Sequence, residues 1–433
     1  MNNHQIPKTT SSLSIWLRFI EQRYSSKVKR ELKHIQHLAQ KLDLLKPAKS
    51  IFTVGGTNGK GTTCRAIETV LLAAGYSTGV YSSPHLLRYT ERVRIQGKEL
   101  EETAYPAVFA TIEKACGETP LSWFEFNTLS ALYLFKQNLL DVVILEVGLG
   151  GRLDATNIVD SDVAVITSIA LDHTEFLGKD RDSIGREKAG IFRHNKPAIV
   201  GDPDMPQVIA DEAKNLDAPL FRRDYNWTFF QKNTSWTFCD DQGIINNLQL
   251  PKIPIENAAT ALAALRASKL EIDKNIILNY LHTAFLPGRF QTIALNPQVI
   301  IDVAHNPHAA AYLSLRLAEQ RLAKGKIKIH IYAVIGMLCD KDIAGTLASL
   351  KPQIDFWYCT SLKGPRGTRV DHLTQYLSSY NYYAFNNVCS AWQAAMHDAK
   401  PEDIVLVCGS FKTVAKVIKA IKNTYGPEIL SIP

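Results

Sequence analysis

A glycine-rich stretch between an apolar run and a helix-like pattern constrains the fold more than any other feature of this sequence. The stretch VGGTNGKGTT occupies 54–63, after the run SIFT and overlapping the periodic segment TTCRAIETVLLAAG. Glycines let the backbone approach a ligand closely, and the N–H groups at the start of a helix attract anions. A strand, a glycine-rich turn and a helix in this order predict a phosphate-binding loop, although a turn without a ligand is the simpler alternative.

The spacing within this loop departs from the usual G-x-x-x-x-G-K-[ST] pattern, because Gly61 separates Lys60 from Thr62. We expect the lysine to reach the outer phosphates and the threonine to lie in the first turn of the helix. The predicted nucleotide-binding residues of the loop are Thr57, Asn58, Gly59, Lys60, Gly61 and Thr62.

Short β-branched runs alternate with helix-period segments along most of the chain, which is typical of parallel sheets covered by helices. Between 221 and 255 polar residues alternate with aromatic or β-branched ones, which predicts a small antiparallel insertion. The segment LPGRFQTIALNPQ marks a domain junction, because proline and glycine cluster there. We therefore predict an α/β chain with two domains, one spanning 1–287 and a smaller one spanning 288–433.

Composition narrows the functional classes. The chain has 433 residues, 46% of them apolar and 21% charged, as in globular proteins. Its net charge of +7 is spread without long basic blocks, which suits an anionic small substrate as easily as a nucleic acid, although a mildly basic solvated surface is the simpler alternative. Of these we predict small-molecule substrates, with neither nucleic-acid nor membrane partners. The seven cysteines never form a CxxC pair, and neither a secretory start nor a membrane-spanning run is evident. These features predict a cytoplasmic protein.

Polar residues follow the predicted strands. Ser83 and Glu146 lie at the carboxyl ends of two strands, where open α/β sheets bind ligands, and both offer the oxygen atoms that Mg²⁺ prefers. His173 follows a third strand, although imidazole is a poor first choice for Mg²⁺. The simpler interpretations are a buried, paired carboxylate for Glu146 and a structural role for His173. Lys188, in EKAGI, would ordinarily be a lysine on a helix surface.

The loop GTNGKGT resembles the nucleotide loop of the Mur ligase superfamily, and the glycine after its lysine is most similar to the folylpolyglutamate synthase and dihydrofolate synthase branch. Further motifs follow in the order that this family shows, over nearly the whole chain. They are SSPHL at 82–86, EVGLGGRLDATN at 146–157, LDHTEFLG at 171–178, EKAGI at 187–191, GR at 288–289, DVAHNPHA at 302–309 and GSFKTVA at 409–415. The resemblance implies a P-loop domain with a mostly parallel sheet and a smaller, Rossmann-like C-terminal domain.

The resemblance also implies a reaction. ATP would activate a carboxylate as an acyl phosphate, and L-glutamate would then form an amide with it. The acceptors would be dihydropteroate and the glutamate tail of reduced folates, on a monomeric enzyme that performs both reactions. A folylpolyglutamate synthase with one activity remains an alternative, as does a ligase for UDP-linked cell-wall precursors, which would normally carry a further domain before the loop. A nucleotide switch and an inactive binding protein are the rivals from other classes.

Residue roles follow from the resemblance. Lys60, His173 and Lys188 would be catalytic, with Ser83 and Glu146 on a first magnesium ion and His173 on a second. Lys188 would be carbamylated, which turns a cation into an oxygen-bearing anion and requires a neutral amine. ATP would also contact Asn257, Arg289, Asp302, His305 and Asn306. The acceptor would contact Ser122, Trp123, Phe124, Arg152, Leu153, Asp154 and Ala155, and the segment YSSKVKRELKHIQ at 24–36 is a candidate cover over it.

Overall fold

The chain folds into two compact α/β units in a computed structural model that describes residues 5–24, 31–325 and 329–425. The first unit comprises Met1–Leu171 and Leu177–Leu286, and the second comprises Asp172–Phe176 and Pro287–Pro433. The second part of the chain thus begins next to the predicted junction, whereas the short segment Asp172–Phe176 groups with the second unit instead of the first. Of the predicted cover at 24–36, residues 25–30 lie outside the described residues.

The helices follow the predicted alternation with strands. In chain order up to the junction they are α1 Leu13–Arg23, α2 Lys33–Lys41, α3 Lys60–Ala73, α4 Tyr105–Cys116, α5 Trp123–Gln137, α6 Thr174–Leu177, α7 Arg181–Ala189, α8 Gln207–Asn215, α9 Ile255–Ala267 and α10 Lys274–Tyr280. After the junction they are α11 Pro307–Ala323, α12 Ile343–Leu350, α13 Asp371–Thr374, α14 Val388–Asp398 and α15 Phe411–Tyr425. Short 3₁₀ helices span Tyr89–Arg92, Glu102–Ala104, Ala155–Ile158 and Leu281–Thr283.

An eight-stranded sheet forms the centre of the first unit. Its strands are β1 Ala48–Gly55, β2 Thr78–Tyr81, β3 Val93–Ile95, β4 Lys98–Glu99, β5 Leu140–Glu146, β6 Val163–Ile166, β7 Ala198–Val200 and β8 Leu220–Arg222. Their order is β4-β3-β2-β5-β1-β6-β7-β8, and all neighbours are parallel except the pairs that involve β3. The predicted parallel sheet is confirmed, and the apolar runs SIFTVGG, STGVYSS, DVVILEVG and DVAVITSIAL, which predict strands, correspond to β1, β2, β5 and β6.

Both faces of this sheet are covered, which explains why its strands appear as apolar runs rather than alternating patterns. Val143 and Leu145 of β5 pack into a core with helices α1, α2, α4 and α5. Val142 and Ile144 of the same strand pack into a second core with α3 and α9, since successive side chains of a strand point to opposite faces. The phosphate loop lies at the carboxyl edge of this doubly covered sheet.

The predicted antiparallel insertion is a three-stranded sheet. It consists of β9 Trp227–Gln231, β10 Ser235–Asp240 and β11 Gly243–Gln249, in the order β11-β10-β9. Trp236 and Phe238 of the middle strand are buried in the core shared with α9. The insertion begins later than expected, because the residues around Phe221 belong to β8 of the main sheet.

The second unit contains a six-stranded sheet. Its strands are β12 Gln291–Leu295, β13 Gln298–Ile301, β14 Ile331–Ile335, β15 Phe356–Thr360, β16 Tyr382–Phe385 and β17 Ile404–Cys408, in the order β12-β13-β17-β14-β15-β16. Only β12 runs antiparallel to its neighbour. The apolar runs VIIDVAH, IHIYAVIGM, IDFWYCT and DIVLVCGS, which predict strands, correspond to β13, β14, β15 and β17. The edge strands β12 and β16 were not predicted, because an edge strand such as the largely exposed β16 lacks a buried apolar run.

Candidate functional site

The glycine-rich loop connects β1 to α3 and is fixed by the segment that follows β6. The backbone N–H of Thr57 donates to the carbonyl oxygen of Ser168 (2.8 Å), and that of Asn58 donates to the Ser168 hydroxyl (3.0 Å). These two N–H groups are therefore engaged by the protein itself. The N–H of Thr63 donates to the carbonyl oxygen of Gly59 (2.9 Å), whereas the N–H groups before it at the start of α3 have no carbonyl acceptor within the helix and suit an anion.

Lys60 occupies the first position of α3. Its ammonium donates to the carbonyl oxygens of Gly56 (3.0 Å) and Thr57 (3.2 Å), which holds the charge over the loop. At the same end of the helix, the amide nitrogen of Asn257 donates to the hydroxyl of Thr62 (2.8 Å). Asn257 is the third residue of α9 and thus lies in the first turn of that helix, whose N-cap is Pro254.

At two positions of the loop, close neighbours explain why the residue is glycine. Gly59 has a φ of +87°, and a Cβ atom there would lie 2.4 Å from Oδ1 of Asn257. A Cβ atom at Gly61 would lie 3.1 Å from a methyl group of Leu286 and 3.6 Å from the carboxylate of Glu146. The glycine that makes this loop unusual therefore lies where the start of α3 passes close to Glu146.

We expect Gly59→Ala to lower the free energy of unfolding by about 2–4 kcal/mol, because left-handed strain adds to a clash with Asn257. Gly75, at the other end of α3, is the matched control, since its φ is +86° and a Cβ atom there would meet nothing within 4 Å. Gly75→Ala should cost only the strain, about 1–2 kcal/mol. Urea unfolding of both variants measures the difference, and equal losses would show that Asn257 does not restrict position 59.

Ser83 and Glu146 come together as their positions at strand ends predicted. Strands β2 and β5 are parallel neighbours with Tyr81 opposite Leu145, so the residues that follow them meet at one edge. The N–H of Ser83 donates to Oε2 of Glu146 (3.2 Å), and Glu146 is only 6% exposed. A serine hydroxyl and a carboxylate beside a phosphate loop suit Mg²⁺, which binds oxygen atoms and keeps water and phosphate ligands. The residues therefore fit the predicted metal.

Lys188 is not a surface residue. It lies in α7 and is 2% exposed, so the interpretation as an ordinary surface lysine is wrong. Its neighbour Glu187 accepts a hydrogen bond at its carbonyl from the N–H of Arg152 (2.7 Å), and the two side chains form an ion pair (2.7 Å). The amide of Asn157 donates to the carbonyl of Gly190 (2.9 Å). The motifs EKAGI and GRLDATN are thus packed together.

The residues predicted to contact the acceptor substrate lie in two places, at the start of α5 and in the loop after β5. Trp123 and Phe124 are half-buried in the first turn of α5, with the guanidinium of Arg92 4.6 Å from the centre of the Trp123 ring. Ser122 caps α5, because its hydroxyl accepts from the N–H of Glu125 (3.2 Å) and the Glu125 carboxylate accepts in return. The S-x-x-E spacing was a signal for this cap that we had not used.

The remaining acceptor residues lie in the loop after β5. The carboxylate of Asp154 accepts from the N–H groups of Leu149 (2.8 Å) and Thr156 (3.0 Å), so it holds that loop in shape. Burial raises the pKa of Asp154, although these hydrogen bonds oppose the shift. Leu153 is half-buried and Ala155 is buried beside it. Contact between these residues and an acceptor remains a prediction.

In the second unit, Asp302 follows β13 as predicted. Its carboxylate accepts from the N–H groups of Phe290 (2.7 Å) and Ala304 (2.7 Å), and burial raises its pKa. The guanidinium of Arg289 lies over the ring of Phe411, 5.0 Å from its centre, and the ring of His305 lies 6.4 Å from the same ring. Three residues predicted to bind the nucleotide, Arg289, Asp302 and His305, thus lie near Phe411 or at the end of β13.

Lys341 is a functional candidate that sequence reasoning missed. Its ammonium, 4% exposed, lies 2.7 Å from Oδ1 of Asp172 and 3.0 Å from Nε2 of His173. The amide of Asn306 donates to the other oxygen of Asp172 (3.0 Å). Burial would raise the pKa of Asp172, but His305 and Lys341 outweigh it and hold that pKa well below its usual range. The available signal was its position in MLCDKD, shortly after a buried strand.

The contact between Lys341 and His173 affects whether His173 can bind the predicted magnesium ion. A ring nitrogen that accepts from an ammonium uses the lone pair that a metal would need. With Lys341 in this position, Nε2 of His173 does not fit as a magnesium ligand. Ligation of a second ion by this nitrogen would require the two side chains to separate, and it stays a prediction.

Known proteins of one family are similar to this chain over almost its full length. Residues 54–265 match the Mur ligase middle domain and residues 288–411 match the Mur ligase, glutamate ligase domain. The dihydrofolate synthase/folylpolyglutamate synthase of Escherichia coli K12 is 58% identical over 415 residues, which cover 96% of this chain and 97% of that protein. The chain belongs to the dihydrofolate synthase/folylpolyglutamate synthase family of Mur ligases. The predicted resemblance is confirmed.

Solved structures of this family agree in fold over almost the full chain. E. coli FolC in complex with DHPP and ADP superposes with a TM-score of 0.93 at 57% identity, covering 96% of this chain and 99% of that one. A bifunctional folylpolyglutamate synthase/dihydrofolate synthase with Mn, AMPPNP and L-glutamate bound has a TM-score of 0.91 at 56% identity, covering 96% and 100%. The predicted α/β fold thus has counterparts among solved structures.

Within the described ranges, no helix has both the length and the apolar character needed to span a bilayer.

Proposed function

We propose that this chain joins L-glutamate to dihydropteroate and to the glutamate tail of reduced folates, using ATP and an acyl-phosphate intermediate. The observation that carries the proposal is the phosphate loop beside Glu146 in a chain that is 58% identical to a dihydrofolate synthase/folylpolyglutamate synthase. As a member of the Mur ligase family the chain is a ligase. This sets aside the nucleotide switch and the inactive binding protein, and the similarity to dihydrofolate synthase/folylpolyglutamate synthases argues against the cell-wall ligase.

The first unit supplies the groups for phosphoryl transfer. The N–H groups at the start of α3 and the ammonium of Lys60 bind the phosphates and stabilise the charge that moves during transfer. Ser83 and Glu146 would hold magnesium, which neutralises phosphate charge when it is bound. The acceptor carboxylate attacks the γ-phosphorus, ADP leaves, and an acyl phosphate forms. The amine of glutamate then attacks the acyl carbon, and phosphate leaves as the amide forms.

The acceptor would lie against the start of α5. Trp123 and Phe124 are half-buried there, so each ring is partly free to stack on a planar pterin. Arg152, Leu153, Asp154 and Ala155 would border the same acceptor on the loop after β5. The relative whose title names DHPP and ADP supports an acceptor of this class.

The second unit would contribute to the nucleotide. Arg289 offers a guanidinium for phosphate oxygens, and Asp302 offers a carboxylate for ribose hydroxyls. His305 and Asn306 would line the nucleotide on the same side, and Asn257 would do so from the first unit.

Lys188 would carry a carbamate. Its burial disfavours a charged ammonium, and carbon dioxide adds only to the neutral amine. The product is an anion whose oxygen atoms would orient a second magnesium ion. ATP and a divalent metal are supported by the relative with Mn and AMPPNP, whereas the carbamate and the second ion rest on the motif and on burial.

The test is an assay of phosphate release with ATP, Mg²⁺, L-glutamate and one acceptor, followed by mass measurement of the product. A gain of one glutamyl unit on dihydropteroate and on tetrahydrofolate is expected. A gain on tetrahydrofolate alone would identify a folylpolyglutamate synthase with one activity. No gain on either acceptor would overturn the proposal.

We also propose a cytoplasmic monomer without nucleic-acid or membrane partners. All seven cysteines are free thiols, in agreement with a reducing compartment. The monomeric state stays a prediction.

A further inference from the structure

A buried ion cluster lies on the helix that starts at the phosphate loop. Glu68 of α3 is fully buried, and its carboxylate pairs with Arg65 (2.8 Å) and with Arg94 of β3 (2.8 Å). Nε of Arg94 also lies 3.2 Å from both carboxylate oxygens of Glu68, so this guanidinium donates to both of them. Buried carboxylates need such partners, because an unpaired charge in a protein interior is costly.

Arg94 and Arg65 differ in the second contact that each makes. Nη1 of Arg94 donates to the hydroxyl of Ser82 (3.3 Å), the residue before Ser83. Arg94 is opposite Val80 in the antiparallel pair of β2 and β3, and the N–H of Ser82 continues that pairing by donating to the carbonyl of Arg92 (2.9 Å). Arg65 instead donates from Nε to the carbonyl oxygen of Phe285 (3.2 Å).

The charges of the cluster also reach the metal-binding residues. Two guanidinium groups face one carboxylate, which leaves one positive charge in excess at the cluster. Burial lowers the pKa of Arg94, but Glu68 more than offsets this effect and Glu146 adds to the upward shift. Arg94 is therefore within electrostatic range of Glu146 as well as in contact with Ser82.

We propose that Arg94 is a positioning residue for the metal–nucleotide site, because it fixes the Ser82–Ser83 loop to helix α3 beside Glu146. The inference rests on the proposed function for the identity of the site. Arg94 itself touches neither metal nor substrate. It links Ser82, the neighbour of Ser83, to Glu68 of α3, so that the loop carrying Ser83 keeps its position relative to that helix and to Glu146.

A pair of variants separates this role from the stability of the cluster. Arg94→Met and Arg65→Met each leave Glu68 with one arginine, but only Arg94→Met removes the contact with Ser82. We expect the affinity for Mn²⁺ in the presence of ADP to fall by about 10–100-fold in Arg94→Met. Electron paramagnetic resonance of Mn²⁺ measures this affinity. The affinity should stay within about 3-fold of the wild type in Arg65→Met, where the Ser82 contact is intact.

Equal losses in both variants, or no loss in Arg94→Met, would overturn the proposal. Ser82→Ala keeps all three charges and serves if Arg94→Met fails to fold; its Mn²⁺ affinity should also fall, and wild-type affinity there would count against the role. Arg94→Lys should recover only part of the affinity, because one ammonium does not reproduce the planar set of donors. A wild-type chain that binds Mn²⁺ with ADP but transfers no glutamate would overturn the proposed function alone.

Discussion

Lys188→Met is expected to lose about 10²–10³-fold or more in turnover while it remains folded, because the charge-stabilising group is removed from the site. Methionine has a similar length and suits a position that is 2% exposed, so the packing around α7 should survive. Turnover is measured as glutamate-dependent phosphate release, and folding is checked by circular dichroism and thermal unfolding.

The carbamate itself is tested by a separate readout. After equilibration with ¹³C-bicarbonate, the wild type should show a carbamate carbon resonance that Lys188→Met lacks. Lys196→Met is the matched control, because Lys196 lies outside the predicted site and pairs with Asp162 (2.8 Å). An unchanged turnover in Lys188→Met would refute a catalytic role, and a resonance that persists would place the carbamate elsewhere.

Glu146→Gln is expected to weaken Mn²⁺ binding by about 10–100-fold and to lower turnover by about 10²–10³-fold. The glutamine amide keeps an oxygen that can accept from the N–H of Ser83, so the geometry is preserved while the negative charge is lost. Calorimetry with Mn²⁺ and ADP gives the affinity, and the phosphate-release assay gives the rate.

Glu101→Gln is the control for this charge change, because Glu101 is exposed and lies outside the predicted site. Its metal affinity and turnover should match those of the wild type. If Glu146→Gln binds Mn²⁺ as tightly as the wild type, Glu146 is a structural carboxylate, the simpler alternative that its sequence context left open.

Much of the first unit could be predicted because its strands are covered on both faces and therefore appear as apolar runs. The meeting of Ser83 with Glu146 followed from one rule, that neighbouring parallel strands end at the same edge. The position of β5 between β1 and β2 could not be predicted, since pairing order depends on packing between distant segments. The edge strand β16 was missed because its residues are largely exposed.

Side-chain partners were predicted less well than positions. Nothing in the sequence indicates that Ser168 engages the N–H groups of Thr57 and Asn58, because that contact spans more than a hundred residues. Lys341 was missed for the same reason, as its partner Asp172 lies 169 positions away. Ser122 is the opposite case, because the local S-x-x-E spacing indicates a helix cap. We had interpreted this residue only as a binding residue.

The grouping of Asp172–Phe176 with the second unit has a consequence for dividing the protein. A fragment that begins at Pro287 carries every strand of the second sheet but not the carboxylate that Lys341 and Asn306 contact. The lysine would then need water or another anion in place of Asp172. The second sheet is continuous in the chain, whereas the carboxylate that pairs with Lys341 comes from the segment between β6 and β7, so a cut before Pro287 separates the two members of this ion pair.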